Sequence, residues 1–263
     1  METPSKSTLK FVKSLGEIKY RRQSGCFKAE GTKCVLDTIA YFEIEMVMAT
    51  STWLDKNGNG IPLGSVVYCC TMADMERMTS LSTAPQVIGV YKIPEKAFDS
   101  SEAHQNLVLA LDTIQDPGNL GTIMRVADWF GVKQIVCSRE TVDVYNPKTI
   151  QSTMGAISRV AVTYHDLPTL LGGLKEEGVE ICGTFLDGDN IYSASTLLPR
   201  TGVIVVGNEG RGISEEVAAI VSKRLTIPSY PADAPTSESL NAAIATAVTL
   251  STFRQKLNQW QKK

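Results

Sequence analysis

Apolar residues recur along this chain with two distinct periods. Leu9, Val12, Leu15 and Ile18 fall three residues apart behind Ser5 and Ser7, which are able to cap, so the spacing predicts an opening amphipathic helix. "FKAEG" (27–31) reads as a short strand and "TKCVLDTIAYF" (32–42) as a capped helix. "EIEMVMATSTWL" (43–54) and "SVVYCC" (65–70) are candidate strands separated by the Gly/Asn-rich turn "DKNGNG". "ADMERMTSL" places Met75, Met78 and Leu81 on one helical face, and "QVIGVYKI" closes the section as a further strand. The polar stretch "PEKAFDSSEAHQN" (94–106) is the best linker, giving a first domain over residues 1–96, a linker over 97–106 and a second domain over 107–263.

Beyond the linker the alternation becomes regular. "LVLALDTI", "VKQIVCS", "RVAVTYH", "VEICGTF", "GVIVVGN" and "RLTIPS" are short runs rich in β-branched residues. Most are followed by helical patterns such as "GTIMRVADWFG", "LPTLLGGLKEEG" and "SEEVAAIVSK". Near-continuous apolar strands alternating with helices predict an α/β fold whose parallel sheet is covered on both faces, with ligands collecting at the carboxyl ends of the strands. "SESLNAAIATAVTLSTFRQKLNQW" predicts a long, small-residue-rich final helix.

Length and charge refine this picture. The 263 residues favour two domains over one, each able to bury a core. Lys plus Arg number 26 against 28 Asp plus Glu, so no global cationic excess advertises a nucleic-acid partner. Within residues 1–33, however, Lys6, Lys10, Lys13, Lys19, Arg21, Arg22, Lys28 and Lys33 face only Glu2, Glu17 and Glu30, a local excess expected of an arm that touches an anion or of a solvated helix face. Cys26, Cys34, Cys69, Cys70, Cys137 and Cys182 form no C-x-x-C pair and have only His104 and His165 to join, which argues against a metal site. The opening "METPSKSTLKF" has no apolar core and no later run is long enough to span a bilayer, so a cytoplasmic protein with reduced thiols is expected.

Three loops after predicted strands depart from simple alternation. "DPGNLGTIMR" carries Asn119, placed to cap the following helix, and Arg125 one and two-thirds turns further on. "GNEGRG" (207–212) lets backbone approach a ligand closely, yet neither G-x-G-x-x-G nor a P-loop pattern occurs. "IPSYPADAPTSESLN" (227–241) brings Ser237, Ser239 and Asn241 to the start of the last helix, where an Asn inside the first turns is unfavourable unless its amide has a partner.

Together, in this order and spacing, the loops resemble the motifs of the SpoU (TrmH) family of RNA ribose 2′-O-methyltransferases. Asn119, Gly121 and Arg125 match its N-x-G-x-x-x-R, residues 207–212 its G-x-E-G-x-G, and Ile227-Pro228 with Ser239-Leu240-Asn241 its I-P and S-L-N. The first hundred residues are similar to that family's N-terminal RNA-binding domain. The resemblance implies a SPOUT fold, a parallel α/β sheet with a deep trefoil knot, and a homodimer with the last helix and first motif at its interface. It implies S-adenosylmethionine held by Gly207, Ile227, Leu240 and Thr184, and catalysis by Arg125, Asn119, Glu209, Ser239 and Asn241. Arg125 would act as the base or as the group that positions hydroxyl and phosphate, the latter preferred because a guanidinium stays protonated. The expected partner is structured RNA, ribosomal in preference to transfer RNA, with neither DNA nor membrane. A transfer-RNA enzyme and a non-catalytic RNA-binding or assembly protein stay open as alternatives. The chain departs from the family in its longer loop "SYPADAPTSE", stiffened by Pro231 and Pro235, and in "AAIA" where V-S-V-A is usual.

Overall fold

Two hydrophobic cores, each closed on itself, organise the computed structural model of the protein, which describes residues 2–231 and 237–257. Contacts divide the chain into Met1–Glu95 with Asp143–Ser158, and Lys96–Val142 with Arg159–Lys263. The first unit comprises α1 (Lys6–Ser14), α2 (Ile18–Ser24), β1 (Cys26–Glu30), α3 (Thr32–Thr38), β2 (Ile44–Ala49), α4 (Ser51–Asn57), β3 (Val67–Cys69), α5 (Met72–Met78) and β4 (Val87–Lys92). Its sheet runs β1-β4-β2-β3, with β4 antiparallel to both neighbours and β2 parallel to β3.

Local chemistry sets these boundaries. Ser5 Oγ accepts from the Thr8 N–H to start α1. The helix then ends before Ile18, which opens α2 and is exposed, whereas Leu9, Val12 and Leu15 are buried as their spacing predicts. The strand expected over 43–54 stops at Ala49, because Thr50 is an N-cap accepting from the Trp53 N–H and "STWL" turns into α4. Trp53 and Leu54 are apolar for burial against the core, not for a strand face.

Two of the basic residues counted in the N-terminal excess are interior. Lys28 and Glu30, two apart on β1 and hence on one face, pair at 2.9 Å with side chains almost fully buried. Lys28 Nζ also donates to the Met78 carbonyl at the C-terminal end of α5 (2.7 Å), while Glu30 accepts from the Thr79 hydroxyl and the Ser80 N–H. Burial pulls the Lys28 ammonium below its ordinary range and the Glu30 charge opposes that shift. Lys28→Ala would leave a buried carboxylate short of its cation, so a loss of about 3–5 kcal/mol in urea unfolding is expected, partly recovered in Lys28→Met/Glu30→Gln. Arg21, also buried, donates to the Leu15 carbonyl (2.9 Å) and through Nε and Nη2 to Asp143 Oδ2 (2.9 and 2.6 Å).

The second unit comprises α6 (Ser101–Gln105), β5 (Leu107–Leu111), α7 (Pro117–Trp129) and β6 (Gln134–Ser138) before the chain visits the first unit through α8 (Pro147–Thr153). It resumes with β7 (Ala161–His165), α9 (Leu167–Glu176), β8 (Ile181–Asn190), β9 (Gly202–Val206), α10 (Glu215–Ala218), β10 (Lys223–Thr226) and α11 (Ala242–Lys256). The six strands are ordered β10-β8-β9-β5-β6-β7 and all pair in parallel. Every residue of β5 and β9 is buried, as expected of strands covered on both faces. Val108, Ala110, Val203 and Val205 pack with Leu167, Leu171 and Val217 of α9 and α10, while α11 packs on α7 and β9. This parallel α/β sheet beside a smaller α/β unit is the fold class the sequence predicts.

Several elements differ from their expected extents. The stretch taken as linker contains α6, anchored by buried Ala103. A reading with one cut assigned residues 143–158 to the second domain, whereas contacts group Asp143–Ser158 with the first. The side chains that hold it there, Asp143 on Arg21 and Tyr145 on Phe27, have partners more than a hundred residues away and give no local signal. β8 carries a register break, Arg224 pairing with Gly183 but Leu225 with Asp189, so residues 184–188 bulge from the sheet. The last helix begins at Ala242 and not at Ser237. Pro235 and the expected helix end at 258–260 lie outside the described residues.

Candidate active site

The loops after β5 and β9 and residues 237–241, ahead of α11, converge through hydrogen bonds that run from one to another. At the end of β5, buried Asp112 accepts from the Ser214 N–H (2.8 Å) and hydroxyl (2.7 Å), tying the loop after β9 to the loop after β5. Thr113 has φ +61, a conformation costly for a β-branched residue. It is held there because its N–H donates to Ser138 Oγ (2.9 Å) and its carbonyl accepts from Asn208 Nδ2 (2.9 Å). The cap of α7 is Asp116, which accepts from the Asn119 N–H (2.9 Å), with Pro117 at the first helical position. Asn119 is therefore not the cap, and its side chain is free for another task.

The loop after β9 closes on itself. Asn208 and Gly212 exchange backbone hydrogen bonds of 2.9 Å each way, and Asn208 Oδ1 accepts from the N–H groups of Gly210 (2.9 Å) and Arg211 (3.1 Å). Gly207 has no room for a side chain, since a Cβ there would lie 2.2 Å from the Gly212 carbonyl carbon. Half-buried Glu209 accepts through Oε1 from Asn119 Nδ2. After β10, Ser239 Oγ donates to the Glu209 carbonyl (3.0 Å). Asn241 caps α11 by accepting from Ala243 (3.0 Å) and Ile244 (3.3 Å), and its Nδ2 donates to Asn119 Oδ1 (2.9 Å). The run Asn241 to Asn119 to Glu209 uses both ends of the Asn119 amide, which fixes its orientation, and leaves Glu209 Oε2 open among the described residues.

Beside this junction lies a cavity of about 960 Å³. Thr184, Gly207, Ile227 and Leu240, expected from the resemblance to hold the cofactor, all line it, as do Glu209, Ser239 and Ser229. Asn119 and Asn241 stand behind Glu209, outside the lining. Arg125 is exposed on α7, and among the described residues no hydrogen bond or ion pair joins it to the junction. The structure thus gathers Asn119, Glu209, Ser239 and Asn241 but not Arg125.

Sequence reasoning missed Asp112 and Asn208, whose contacts fix two of the loops. It also missed Phe185, Asp187 and Arg224 on the cavity wall. The Arg224 guanidinium lies 3.5 Å from the Phe185 ring centroid and donates to Asp187 Oδ1 at 2.6 Å. The local signs of that wall are two glycines: a Cβ at Gly183 would lie 2.6 Å from the Phe185 ring, and one at Gly188 would lie 2.7 Å from the Arg224 carbonyl oxygen. The donor set suits S-adenosylmethionine: turn backbone, apolar Ile213 and Leu240, and the carboxylates of Glu209 and Glu215 as counterparts for a cation, in a volume normal for such ligands. Among the described residues no group of His, Cys, Asp and Glu could hold a metal ion, and no helix is long and apolar enough to cross a membrane.

A parallel α/β sheet with a cavity built on the carboxyl ends of adjacent strands defines a nucleotide-type ligand-binding domain of doubly wound character. Residues 106–251 match the SpoU rRNA Methylase family and residues 6–89 the MRM3-like substrate binding domain, and the chain belongs to the SpoU rRNA methylase family. It is 29% identical over 252 residues to the 23S rRNA (guanosine(2553)-2′-O)-methyltransferase RlmP of Bacillus subtilis, covering 94% of this chain and 96% of that protein. A solved structure from Porphyromonas gingivalis, assigned as an RNA methyltransferase of the TrmH family, superposes with a TM-score of 0.84 at 35% identity over 97% of this chain and 99% of that one. An AdoMet-bound rRNA methyltransferase from Sinorhizobium meliloti does so with a TM-score of 0.83 at 26% identity, covering 98% of each.

Proposed function

We propose that this chain methylates a ribose 2′-hydroxyl of ribosomal RNA, using S-adenosylmethionine. The observation that carries this reading is the hydrogen-bonded run of Asn241, Asn119 and Glu209, one residue from each motif loop, beside a cavity that suits the cofactor. When bound, S-adenosylmethionine supplies an electrophilic methyl group on a sulfonium. Gly207, Ile227, Leu240 and Thr184, which line the cavity, would hold it.

A ribose hydroxyl is a poor nucleophile, so the chain must orient it and remove its proton. Asn119, itself held by Asn241, holds the Glu209 side chain, Ser239 holds its backbone carbonyl, and Glu209 Oε2, open among the described residues on the cavity lining, is the acceptor for the hydroxyl proton. Arg125, which its own chain holds away from the junction, would bind a backbone phosphate of the substrate, a role that suits a permanently charged guanidinium. Arg125 and Trp129 stand one turn apart on α7, and Trp129 is 81% exposed; Ile244 is exposed on α11, which packs beside it. A homodimer seated on these two helices covers that apolar surface.

The test is transfer of labelled methyl to unmodified ribosomal and transfer RNA transcripts, with nucleoside analysis. A 2′-O-methylated nucleoside in ribosomal RNA, lost in Arg125→Ala, is expected. Transfer only to transfer RNA would overturn the substrate class, and cofactor binding without transfer to any RNA would overturn the reaction.

A further inference from the structure

Resting on that reading, we infer that the groove between α1 and α5 holds the phosphate backbone of the RNA substrate. Of the eight basic residues in 1–33, Arg21, Lys28 and Lys33 are paired to Asp143, Glu30 and Asp37. Lys6, Lys10 and Lys13 are exposed and, among the described residues, make no ion pair. They fall at intervals of four and three residues, which stacks them along one face of α1 over about 10 Å.

Arg77 of α5 completes the site. These four cations surround a groove of about 210 Å³ whose one other lining residue is Leu9, with no carboxylate on its wall. Asp74, whose Oδ2 accepts from the Thr71 N–H (3.1 Å) and hydroxyl (2.6 Å) in the α5 capping box, turns its Oδ1 to Arg77 in a long, exposed ion pair of 4.0 Å that offsets one of the four charges. Among the described residues the three lysines of the groove form a row of like charges that no carboxylate pairs.

A polyanion with regularly spaced charges fits this row. Lysine ammoniums act as point charges without bidentate geometry, so the groove positions a phosphodiester chain and does not read bases. Base identity is then read elsewhere on the molecule.

The test is a titration of labelled, unmodified ribosomal RNA transcript at several salt concentrations with the parent chain, Lys6→Gln/Lys10→Gln/Lys13→Gln and the matching triple Arg variant. Binding by the Gln triple is expected to weaken on the order of 10- to 100-fold at low salt, with the log–log salt slope smaller by about 2–3, and the Arg triple to keep both. A urea unfolding curve followed by the fluorescence of Trp53, buried in the first unit, and matching that of the parent shows that the Gln triple is folded, and Lys10→Gln alone should remove about one unit of slope. An unchanged slope and affinity in the Gln triple overturns the inference. So does an Arg triple as weak as the Gln one, or a parent chain that binds phosphatidylserine vesicles but no RNA. A parent chain that binds RNA through these lysines yet transfers no methyl overturns the enzymatic reading and leaves the groove. One that transfers methyl with the Gln triple unaffected does the reverse.

Discussion

Gly207→Ala is expected to remove measurable S-adenosylmethionine binding and to destabilise the second unit by about 3 kcal/mol, a drop of roughly 6–12 °C in Tm. The cause is backbone against backbone. An added Cβ would lie 2.2 Å from the Gly212 carbonyl carbon and 2.4 Å from both its oxygen and the Ile213 nitrogen, none of which can rotate away as a side chain can. Relief requires breaking the paired hydrogen bonds between Asn208 and Gly212, and with them the turn that forms the cavity wall. Gly210→Ala is the control, because a Cβ there meets only Asn208 Oδ1 at 3.6 Å. Calorimetry with the cofactor and thermal melts of both variants decide the matter; equal behaviour of the two would refute the steric account.

Asn119→Ala should lower methyl transfer on the order of 10²- to 10³-fold while changing cofactor affinity little. Asn119 contributes nothing to the cavity lining, so the ground-state site survives its loss. What disappears is the donor to Glu209 and the acceptor for Asn241, and with them the orientation of the Glu209 carboxylate. Because the junction is half exposed, water replaces the lost partners and stability falls by only about 1 kcal/mol. Asn119→Asp is expected to be no better, since it sets a second carboxylate against Glu209. Asn241→Ala differs in kind: it also removes the cap of α11, adding about 1 kcal/mol of destabilisation to the kinetic defect. Single-turnover rates beside urea curves separate the two effects, and parental rates in Asn119→Ala would sink the proposed role.

How much of this was legible in the sequence depends on the range of the interaction. The alternation of apolar strands and helices after residue 107 is local, and it led to the parallel sheet. Asn241 was singled out as an unfavourable residue inside the final helix. It is instead the cap of that helix, yet the amide does have the partner that the argument demanded. Asn119 was assigned the capping role that Asp116 performs three residues earlier, a swap that spacing alone cannot settle because both residue types cap well. The run 43–54 reads as a single strand, but the Thr50 cap and the burial of Trp53 and Leu54 against the core end it at Ala49. Lys28 enters the N-terminal count as one more cation, because its burial depends on the Met78 carbonyl, fifty residues away. The register break in β8 has no signal beyond Gly183 and Gly188.

The excursion of Asp143–Ser158 into the first unit bears on how such a protein could be assembled by recombination. The family matches cut the chain linearly, ending one region at residue 89 and opening the other at 106. The contacts do not obey that cut. A gene fragment stopping at Glu95 would encode a unit whose buried Arg21 lacks the carboxylate of Asp143 and whose Phe27 lacks the ring of Tyr145. The two units therefore cannot be exchanged between relatives as beads on a string. A functional swap must carry residues 143–158 along with the N-terminal region, which ties the history of the first unit to that of the domain into which its last piece is threaded.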